Sequence, residues 1–313
     1  MENYLNSAIK AVAAASAICK EIQGQLITED SITKKDKSPV TIADYASQAV
    51  VCSILNEAFP EIPVVGEEDA GTLKEAENKP LLDKIKTFLD GWSEDQIIDA
   101  IEIGNGEATD LFWTLDPIDG TKGFLRGEQY AVALALIEKG EIILGVLGCP
   151  NLDYDEQTEG TLLYATRGFG SVACTFALDK SENITVSKQA PTDKVRFLES
   201  VEKGHANHAG QAKIIEAFGD RKDSVRVDSQ VKYAVLARGK AEVYLRLPKP
   251  DMPDYREKIW DHAAGVIIVE EAGGIVTDVS GNKLDFSKGK KLLNNRGVIG
   301  TNGQYHDMVL ENI

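Results

Sequence analysis

The segment Leu111–Thr121, with the sequence Leu-Phe-Trp-Thr-Leu-Asp-Pro-Ile-Asp-Gly-Thr, decides how the chain is interpreted. Its first five residues are mostly large and apolar and predict a buried strand. Two carboxylates, Asp116 and Asp119, follow directly, and the proline between them prevents a regular helix. Gly120 allows the backbone to approach a ligand closely. Thr121 supplies a hydroxyl and an amide at the predicted start of a short helix.

This order of strand, acid, turn and amide predicts a site for a hard divalent cation beside a phosphate. Mg²⁺ keeps several waters and takes one or two carboxylates together with phosphate oxygens. The alternative interpretation is structural, because Asp-Pro and Asp-Gly are common turn dipeptides. That alternative is stronger for either aspartate alone than for the complete string Asp116–Thr121 behind a strand.

Three further acidic segments have a similar character. Glu67 follows the short β run Ile62–Val65 and a glycine, and Asp44 and Asp261 stand near the starts of predicted helices. Each also has a structural explanation, a solvated loop for Glu67 and a helix N-cap for each aspartate. If these acids converge, each like-charge pair at ~4 Å costs roughly 4 kcal/mol at an effective dielectric of 20. Such a cluster needs cations or bound protons, and two Mg²⁺ ions could bridge it and activate a water.

The composition excludes several classes of function. The chain has 313 residues, 34 Lys and Arg against 50 Asp and Glu, and a formal net charge of −16. A chain this acidic is a poor candidate for binding nucleic acid or an anionic membrane, so we expect neither as a partner. Its longest apolar run, Ala131–Ile137, is far shorter than the ~20 residues of a spanning helix.

The cysteines and the N-terminus predict a cytoplasmic protein. The four cysteines stand too far apart for a CxxC motif; they are Cys19, Cys52, Cys149 and Cys174. Reduced thiols are therefore expected. The first residues do not have the pattern of a signal peptide. The sequence leaves the oligomeric state open, and a monomer is compatible with it.

The first part of the chain combines helices with an antiparallel sheet. Apolar residues at steps of three and four predict a helix over residues 2–26. We expect Pro39 to prevent a helix, Val40–Ile42 to be extended and Tyr45–Ala58 to be helical. The runs Tyr130–Glu138 and Glu141–Gly148 predict a hairpin, with two more strands and two helices elsewhere in this part.

The second part alternates strands and helices from about residue 195 to 278, which predicts an α/β layer. A shift in composition near residues 178–184 suggests a division of the chain. We therefore expect an α+β domain over residues 1–180, carrying most metal ligands, and an α/β domain over residues 181–313, carrying Asp261.

At its four acidic segments the chain resembles the lithium-sensitive, Mg²⁺-dependent phosphatase superfamily that includes inositol monophosphatase and fructose-1,6-bisphosphatase. The longer string Asp116–Gln129, Asp-Pro-Ile-Asp-Gly-Thr-Lys-Gly-Phe-Leu-Arg-Gly-Glu-Gln, is similar to the 3′(2′),5′-bisphosphate nucleotidase branch. Further strings typical of that branch are Val201–His205, Asp228–Tyr233, Val243–Pro248 and Glu257–Gly265. The resemblance covers about residues 38–278 and is weakest across residues 69–110.

The resemblance implies a role for each matching residue. The implied ligands of two or three Mg²⁺ ions are Glu67, Asp116, the main-chain carbonyl of Ile118, Asp119 and Asp261. The residues implied to activate the attacking water are Asp44 and Thr121. The implied substrate contacts are Gly120, Thr121, His205, Ser229, Lys232, Arg246 and Asp261.

Some of these residues have other interpretations when they are taken singly. His205 and His208 stand three residues apart, as a zinc pair or as exposed loop histidines, and the resemblance favours a nucleotide contact over zinc. Lys232 on a predicted helix and Arg246 on a predicted strand are each typical of solvated surface cations. A second phosphate on the substrate gives a reason for both, because Arg and Lys pair well with phosphate.

The resemblance implies an αβαβα layered sandwich, of mixed α+β and α/β class. The implied activity is Mg²⁺-dependent hydrolysis of adenosine 3′,5′-bisphosphate to AMP and phosphate, with 3′-phosphoadenosine 5′-phosphosulfate as a further substrate and Li⁺ as an inhibitor. Three alternatives stay open: an inositol-phosphate phosphatase of the same superfamily, a non-catalytic nucleotide sensor, and an acidic interaction protein.

Overall fold

The structure, a computed structural model, describes residues 1–26, 38–188, 194–201, 207–219 and 222–313. The helices in these ranges are α1 (Glu2–Leu26), α2 (Ser38–Ala58), α3 (Lys79–Lys86), α4 (Glu94–Glu102), α5 (Thr121–Leu125), α6 (His208–Ala217), α7 (Val231–Ala237), α8 (Ala263–Glu271) and α9 (His306–Leu310). The strands are β1 (Val64–Gly66), β2 (Leu111–Asp119), β3 (Ala131–Glu138), β4 (Glu141–Cys149), β5 (Thr161–Thr166), β6 (Ser171–Cys174), β7 (Ser181–Ile184), β8 (Val195–Glu199), β9 (Lys222–Arg226), β10 (Val243–Arg246), β11 (Ile275–Thr277) and β12 (Val298–Thr301). None of these helices is both long enough and apolar enough to cross a lipid bilayer.

The first sheet has seven strands in the order β1-β2-β3-β4-β5-β6-β7. β1 pairs parallel with β2, and every later pairing is antiparallel between neighbours in sequence. The predicted hairpin is confirmed, and its turn residues Lys139 and Gly140 have φ angles of 50° and 81°. Two consecutive left-handed residues let a two-residue turn follow the right-handed twist of the strands.

The apolar run Ala131–Ile137 lies in β3 and is buried on both faces. Leu134 and Leu136 belong to a core that includes α1 and α2. Ala133 and Ala135 belong to a second core that includes α7 and α8. Alternate residues of one strand therefore serve two different cores, which is why this strand has no polar alternation.

The second sheet has five strands in the order β11-β12-β10-β8-β9. β8 is parallel to both β9 and β10, and β12 is antiparallel to β10 and β11. Leu198 of this sheet joins the core of α7 and α8, whereas its neighbour Phe197 joins a core with α6 and α9. The layers are therefore α1 with α2, the first sheet, α7 with α8, the second sheet, and α6 with α9. The predicted αβαβα sandwich is confirmed.

The expectation for the residues around Pro39 was wrong. Val40–Ile42 is not extended, because α2 begins at Ser38 and includes it. Proline is accepted in the first turn of a helix, where its missing N–H would have no partner in any case. Asp44 consequently lies in the second turn of α2 instead of near its start.

The alternation of strands and helices in the second part of the chain is confirmed, although β12 and α9 were not expected from the sequence. The last strand of the first sheet ends at Ile184, and the second sheet begins at Val195. We therefore propose that the two domains divide between these residues, slightly later than residue 180.

Candidate active site

The ends of β1 and β2 carry three of the predicted acids. The two strands are parallel neighbours, and Gly66 is aligned with Leu115. Glu67 follows β1 directly, Asp116 follows Leu115, and Asp119 ends β2. The pairing of β2 with β3 shifts in register between the two aspartates, where the proline has no N–H to donate. The parallel pairing therefore brings both acidic turns to one edge of the sheet.

Helix α2 holds both acidic turns from behind. The hydroxyl of Ser47 donates to the carbonyl of Pro117 at 2.9 Å. Gln48 is fully buried; its Nε2 donates to the carbonyl of Glu68 at 2.7 Å, and its Oε1 accepts the Glu68 amide at 3.0 Å. Asp44 precedes these residues by three and four positions and so lies on the same helix face. The helix therefore directs Asp44 towards the same two turns.

Gln230 brings Asp261 beside this edge. Its main-chain amide donates to Oδ2 of Asp119 at 2.5 Å. Its side chain donates to the carbonyl of Trp260 at 2.8 Å and accepts the amide of Gly265 at 3.1 Å. One buried residue therefore joins the end of β2 to the segment that carries Asp261.

A cavity of about 290 Å³ opens at this edge, where the end of β2 meets the segments that carry Ser229, Arg246 and Asp261. The predicted residues that line it are Glu67, Asp116, Ile118, Asp119, Gly120, Thr121, Ser229, Lys232, Arg246 and Asp261. Asp44 does not line the cavity, but it lies close enough for its charge to act on Asp116. His205 and its predicted nucleotide contact lie outside the described residues.

The acids around the cavity disfavour one another's ionised forms. Burial, followed by the charge of Glu67, raises the pKa of Asp116 well above its ordinary range. Burial, followed by the charge of Asp119, does the same to the pKa of Asp261. Burial and neighbouring carboxylates raise the pKa of Glu67 to about 7. The pKa of Asp44 is raised by burial first and then by glutamate charges.

These residues fit divalent cations. The Oδ1 atom of Asp116 is buried and has no hydrogen-bond partner within the described chain. Burying a polar atom without a partner is costly, and a cation would remove that cost. The cluster offers hard oxygen ligands of the kind that Mg²⁺ and similar ions prefer. In addition, Glu257, Asp261 and His262 offer ligand atoms that lie within 4.8 Å of one another. The acidic cluster could therefore hold a metal ion.

Lys232 and Arg246 are two of the cations that line the same cavity. Lys232 is 6% exposed, and its Nζ lies 5.6 Å from the centre of the Tyr244 ring. Burial lowers the pKa of Lys232 to about 8. Arg246 is partly buried at the end of β10, where its Nε donates to Oε1 of Glu257 at 3.1 Å. The interpretation of these two residues as solvated surface cations was therefore wrong.

Two glycines allow close approach in the turn after β2. Gly120 has a φ of 96°, and a Cβ on it would lie 2.8 Å from the Cβ of Ser229. A Cβ on Gly123 would lie 2.1 Å from the carbonyl oxygen of Gln129. The short helix α5 begins at Thr121, as predicted. Gly120 therefore allows the start of α5 to lie against Ser229, and Gly123 allows the helix to lie against Gln129.

Three residues that organise the site were missed in the sequence. Nothing in a single sequence distinguishes Gln48 or Gln230 from a surface glutamine, because their contacts are formed with distant segments. Glu257 stands in a string with several charged residues and was given no role. Its place at the start of the string Glu257–Gly265, four residues before Asp261, was the available signal.

Comparisons with known proteins agree with this architecture. The profile of the Inositol monophosphatase family matches residues 1–313. A 3′(2′),5′-bisphosphate nucleotidase of Dictyostelium discoideum is 44% identical over 319 residues, covering 98% of this chain and 95% of the relative. One of Schizosaccharomyces pombe is 41% identical, covering 97% and 93%. Among solved structures, an IMPase of Thermotoga maritima has the same fold with a TM-score of 0.65 at 23% identity, covering 99% and 96%.

Proposed function

Because the chain belongs to the inositol monophosphatase family, we propose that it hydrolyses the 3′-phosphate of adenosine 3′,5′-bisphosphate to give AMP and phosphate. The names and identity of the two nucleotidase relatives support this substrate. The chain is accordingly a phosphoric monoester hydrolase. We extend the proposal to 3′-phosphoadenosine 5′-phosphosulfate as a second substrate.

The observation that carries the proposal is that one cavity is lined both by acids and by buried or partly buried cations. Asp116 and Asp119 are among the acids, and Lys232 and Arg246 are among the cations. A nucleotide with two phosphates suits such a cavity, because one phosphate can meet metal ions while the other meets the cations. A substrate with a single phosphate would leave the buried Lys232 without an anionic partner from the substrate.

We propose Mg²⁺ as the cofactor, with two or three ions held by the acids of the site. Glu67, Asp116 and the carbonyl of Ile118 would hold one ion, and Asp116, Asp119 and Asp261 a second. The buried oxygen of Asp116 that has no partner supports this assignment. When bound, the ions would polarise the phosphoryl oxygens and lower the pKa of a coordinated water.

The chain's own residues would orient the reactants. We propose that the hydroxyl of Thr121 and the carboxylate of Asp44 hold the attacking water, and that the carboxylate takes its proton. The main-chain amides of Gly120 and Thr121 would donate to the phosphate that is removed. Ser229, Lys232 and Arg246, together with His205, would contact the rest of the nucleotide and fix its orientation, which lowers the entropic cost of the reaction.

Phosphate release from adenosine 3′,5′-bisphosphate, with Mg²⁺ and with EDTA, tests the proposal directly. We expect phosphate release in Mg²⁺ and none in EDTA. The kcat/KM for inositol monophosphate, assayed in parallel, should be lower than that for adenosine 3′,5′-bisphosphate. A higher kcat/KM for inositol monophosphate would favour the inositol-phosphate alternative. Nucleotide binding without any Mg²⁺-dependent release would favour a sensor. Failure of Mg²⁺ and Mn²⁺ to raise the melting temperature would favour an acidic interaction protein.

We also propose a cytoplasmic location. It is supported by the state of the four cysteines, which are all unpaired and buried. Burial raises the pKa of Cys19 and Cys52, which keeps these thiols protonated and unreactive. Thiols of this kind are typical of a reducing compartment.

A further inference from the structure

A buried carboxylate, Glu257, accepts hydrogen bonds from Arg246, one of the cations that line the cavity. Glu257 is 6% exposed. Its Oε1 accepts Nε of Arg246 at 3.1 Å, and its Oε2 accepts Nη2 of Arg246 at 3.3 Å. Two parallel N–H···O bonds define both the plane and the direction of a guanidinium. The direction in which Arg246 meets the cavity therefore depends on Glu257.

Further contacts hold Glu257 itself in place. Its main-chain carbonyl accepts the amide of Leu292 at 3.0 Å. Its Oε2 lies 3.4 Å from Nε2 of His262, and Nδ1 of His262 lies 2.7 Å from the hydroxyl of Tyr233. Because an ionised carboxylate only accepts, Nε2 of His262 is the donor to Glu257. The buried Tyr233, His262 and Glu257 thus form an ordered chain of hydrogen bonds that ends at Arg246.

We propose that Glu257 is a positioning residue that presents Arg246 to the phosphate that the enzyme leaves on the nucleotide. This role rests on the proposed function, since it concerns the phosphate that is not hydrolysed. A long arginine side chain loses rotamer freedom when it binds an anion. An arginine that is already held by a carboxylate has lost that freedom before the substrate arrives, so the substrate binds more tightly.

The rival interpretation is that Glu257 is a metal ligand, because ligand atoms of Glu257, Asp261 and His262 lie within 4.8 Å of one another. A metal ion on Glu257 would stand beside the guanidinium of Arg246 and be repelled by it. Both carboxylate oxygens of Glu257 already accept hydrogen bonds from Arg246, so the charge of Glu257 is compensated within the protein.

The substitution Glu257→Gln tests the role, because it keeps the shape and removes the charge. AMP is the probe, since it carries only the phosphate that Arg246 would meet, and its Kd is measured by calorimetry without turnover. We expect the Kd of AMP to rise by about tenfold or more, the scale of one charged hydrogen bond. The KM for adenosine 3′,5′-bisphosphate should rise similarly, and kcat should change much less. The Mg²⁺ concentration that gives half of the maximal rise in melting temperature should stay the same.

A double-mutant cycle with Arg246→Ala shows whether Glu257 acts through the arginine. We expect the double variant to bind AMP no more weakly than Arg246→Ala alone. Glu242→Gln is the matched control, because Glu242 is a fully buried carboxylate that pairs with Arg196 in the same domain but does not line the cavity. It should lower the melting temperature and leave the Kd of AMP unchanged.

Several results would overturn the role of Glu257. One is that Glu257→Gln and Arg246→Ala weaken AMP binding additively, and another is that Glu242→Gln weakens it as much as Glu257→Gln does. A third is that Glu257→Gln raises the Mg²⁺ requirement and leaves AMP binding intact. The last is that the unaltered chain does not bind AMP. Failure of the proposed function has a different signature. In that case the unaltered chain releases no phosphate from adenosine 3′,5′-bisphosphate, while AMP binding still depends on both Glu257 and Arg246.

Discussion

Replacing Asp119 by asparagine removes one negative charge from the cavity and changes almost no shape. Oδ2 of Asp119 accepts the amide of Gln230 at 2.5 Å, and the side-chain oxygen of asparagine can accept the same bond. The local fold should therefore survive the substitution. What is lost is the charge that raises the pKa of Asp261 and of Glu67.

Without metal ions the variant should be the more stable protein. If removing the charge of Asp119 lowers the pKa values of the neighbouring acids by about one unit in total, the folded protein gains about 1.4 kcal/mol. Unfolding entropy of about 2.1 cal/mol/K per residue gives about 0.65 kcal/mol/K for a chain of 313 residues, so the melting temperature should rise by about 2 °C. The unaltered chain should gain about 2.7 kcal/mol, or about 4 °C, at a Mg²⁺ concentration of 100 times Kd. The variant should lose most of that gain.

Differential scanning calorimetry in EDTA and in MgCl₂ measures both shifts, and a phosphate-release assay measures turnover. We expect turnover to fall by at least about 1000-fold, equivalent to about 4 kcal/mol in the barrier. Asp90→Asn, at an exposed aspartate that does not line the cavity, is the matched control and should change neither quantity. Near-normal turnover in Asp119→Asn, or a Mg²⁺-dependent shift equal to that of the unaltered chain, would refute the metal assignment.

Three further predictions test other parts of the site. Gln48→Ala leaves main-chain polar groups of Glu68 and Ile101 without their hydrogen-bond partner. The free energy of unfolding should therefore fall by about 2–4 kcal/mol, and the Mg²⁺ concentration required for activity should rise. A melting temperature equal to that of the exposed control Gln25→Ala would contradict this prediction. Burial lowers the pKa of Lys232 to about 8, so its ammonium loses its proton as the pH rises through 8. The KM for adenosine 3′,5′-bisphosphate should therefore rise between pH 8 and 10, whereas the KM of Lys232→Met should not depend on pH in this range. A KM of the unaltered chain that is constant over this range would refute the role of Lys232. Li⁺ should inhibit phosphate release in competition with Mg²⁺, and insensitivity to Li⁺ would argue for another branch of the superfamily.

The acidic turns could be predicted because their determinants are local in sequence. An apolar strand followed by Asp116, a proline, Asp119 and Gly120 specifies both the strand and the turn after it. The hairpin at Lys139 and Gly140 is another local signal. The five-layer sandwich followed from the resemblance alone, whereas the strand pattern predicted only an antiparallel sheet and an α/β layer.

Features that depend on distant contacts could not be predicted. Lys232 looked like a surface cation, because its burial depends on segments far away in sequence. Gln48 contacts the carbonyl of Ile101, 53 residues further along the chain. Pro39 misled because its helix-breaking effect depends on its position, and in the first turn of α2 it is tolerated.

Anomalous diffraction from a crystal soaked in Mn²⁺ tests the central claim most directly, because Mn²⁺ accepts the same oxygen ligands as Mg²⁺ and can be located without ambiguity. We predict anomalous peaks within ligand distance of Asp116, one of them shared with Glu67 and another with Asp119 and Asp261, and none on Glu257. An absence of peaks at Asp116, in crystals that bind Mn²⁺ elsewhere or not at all, would contradict the claim that these acids form a metal-dependent catalytic site.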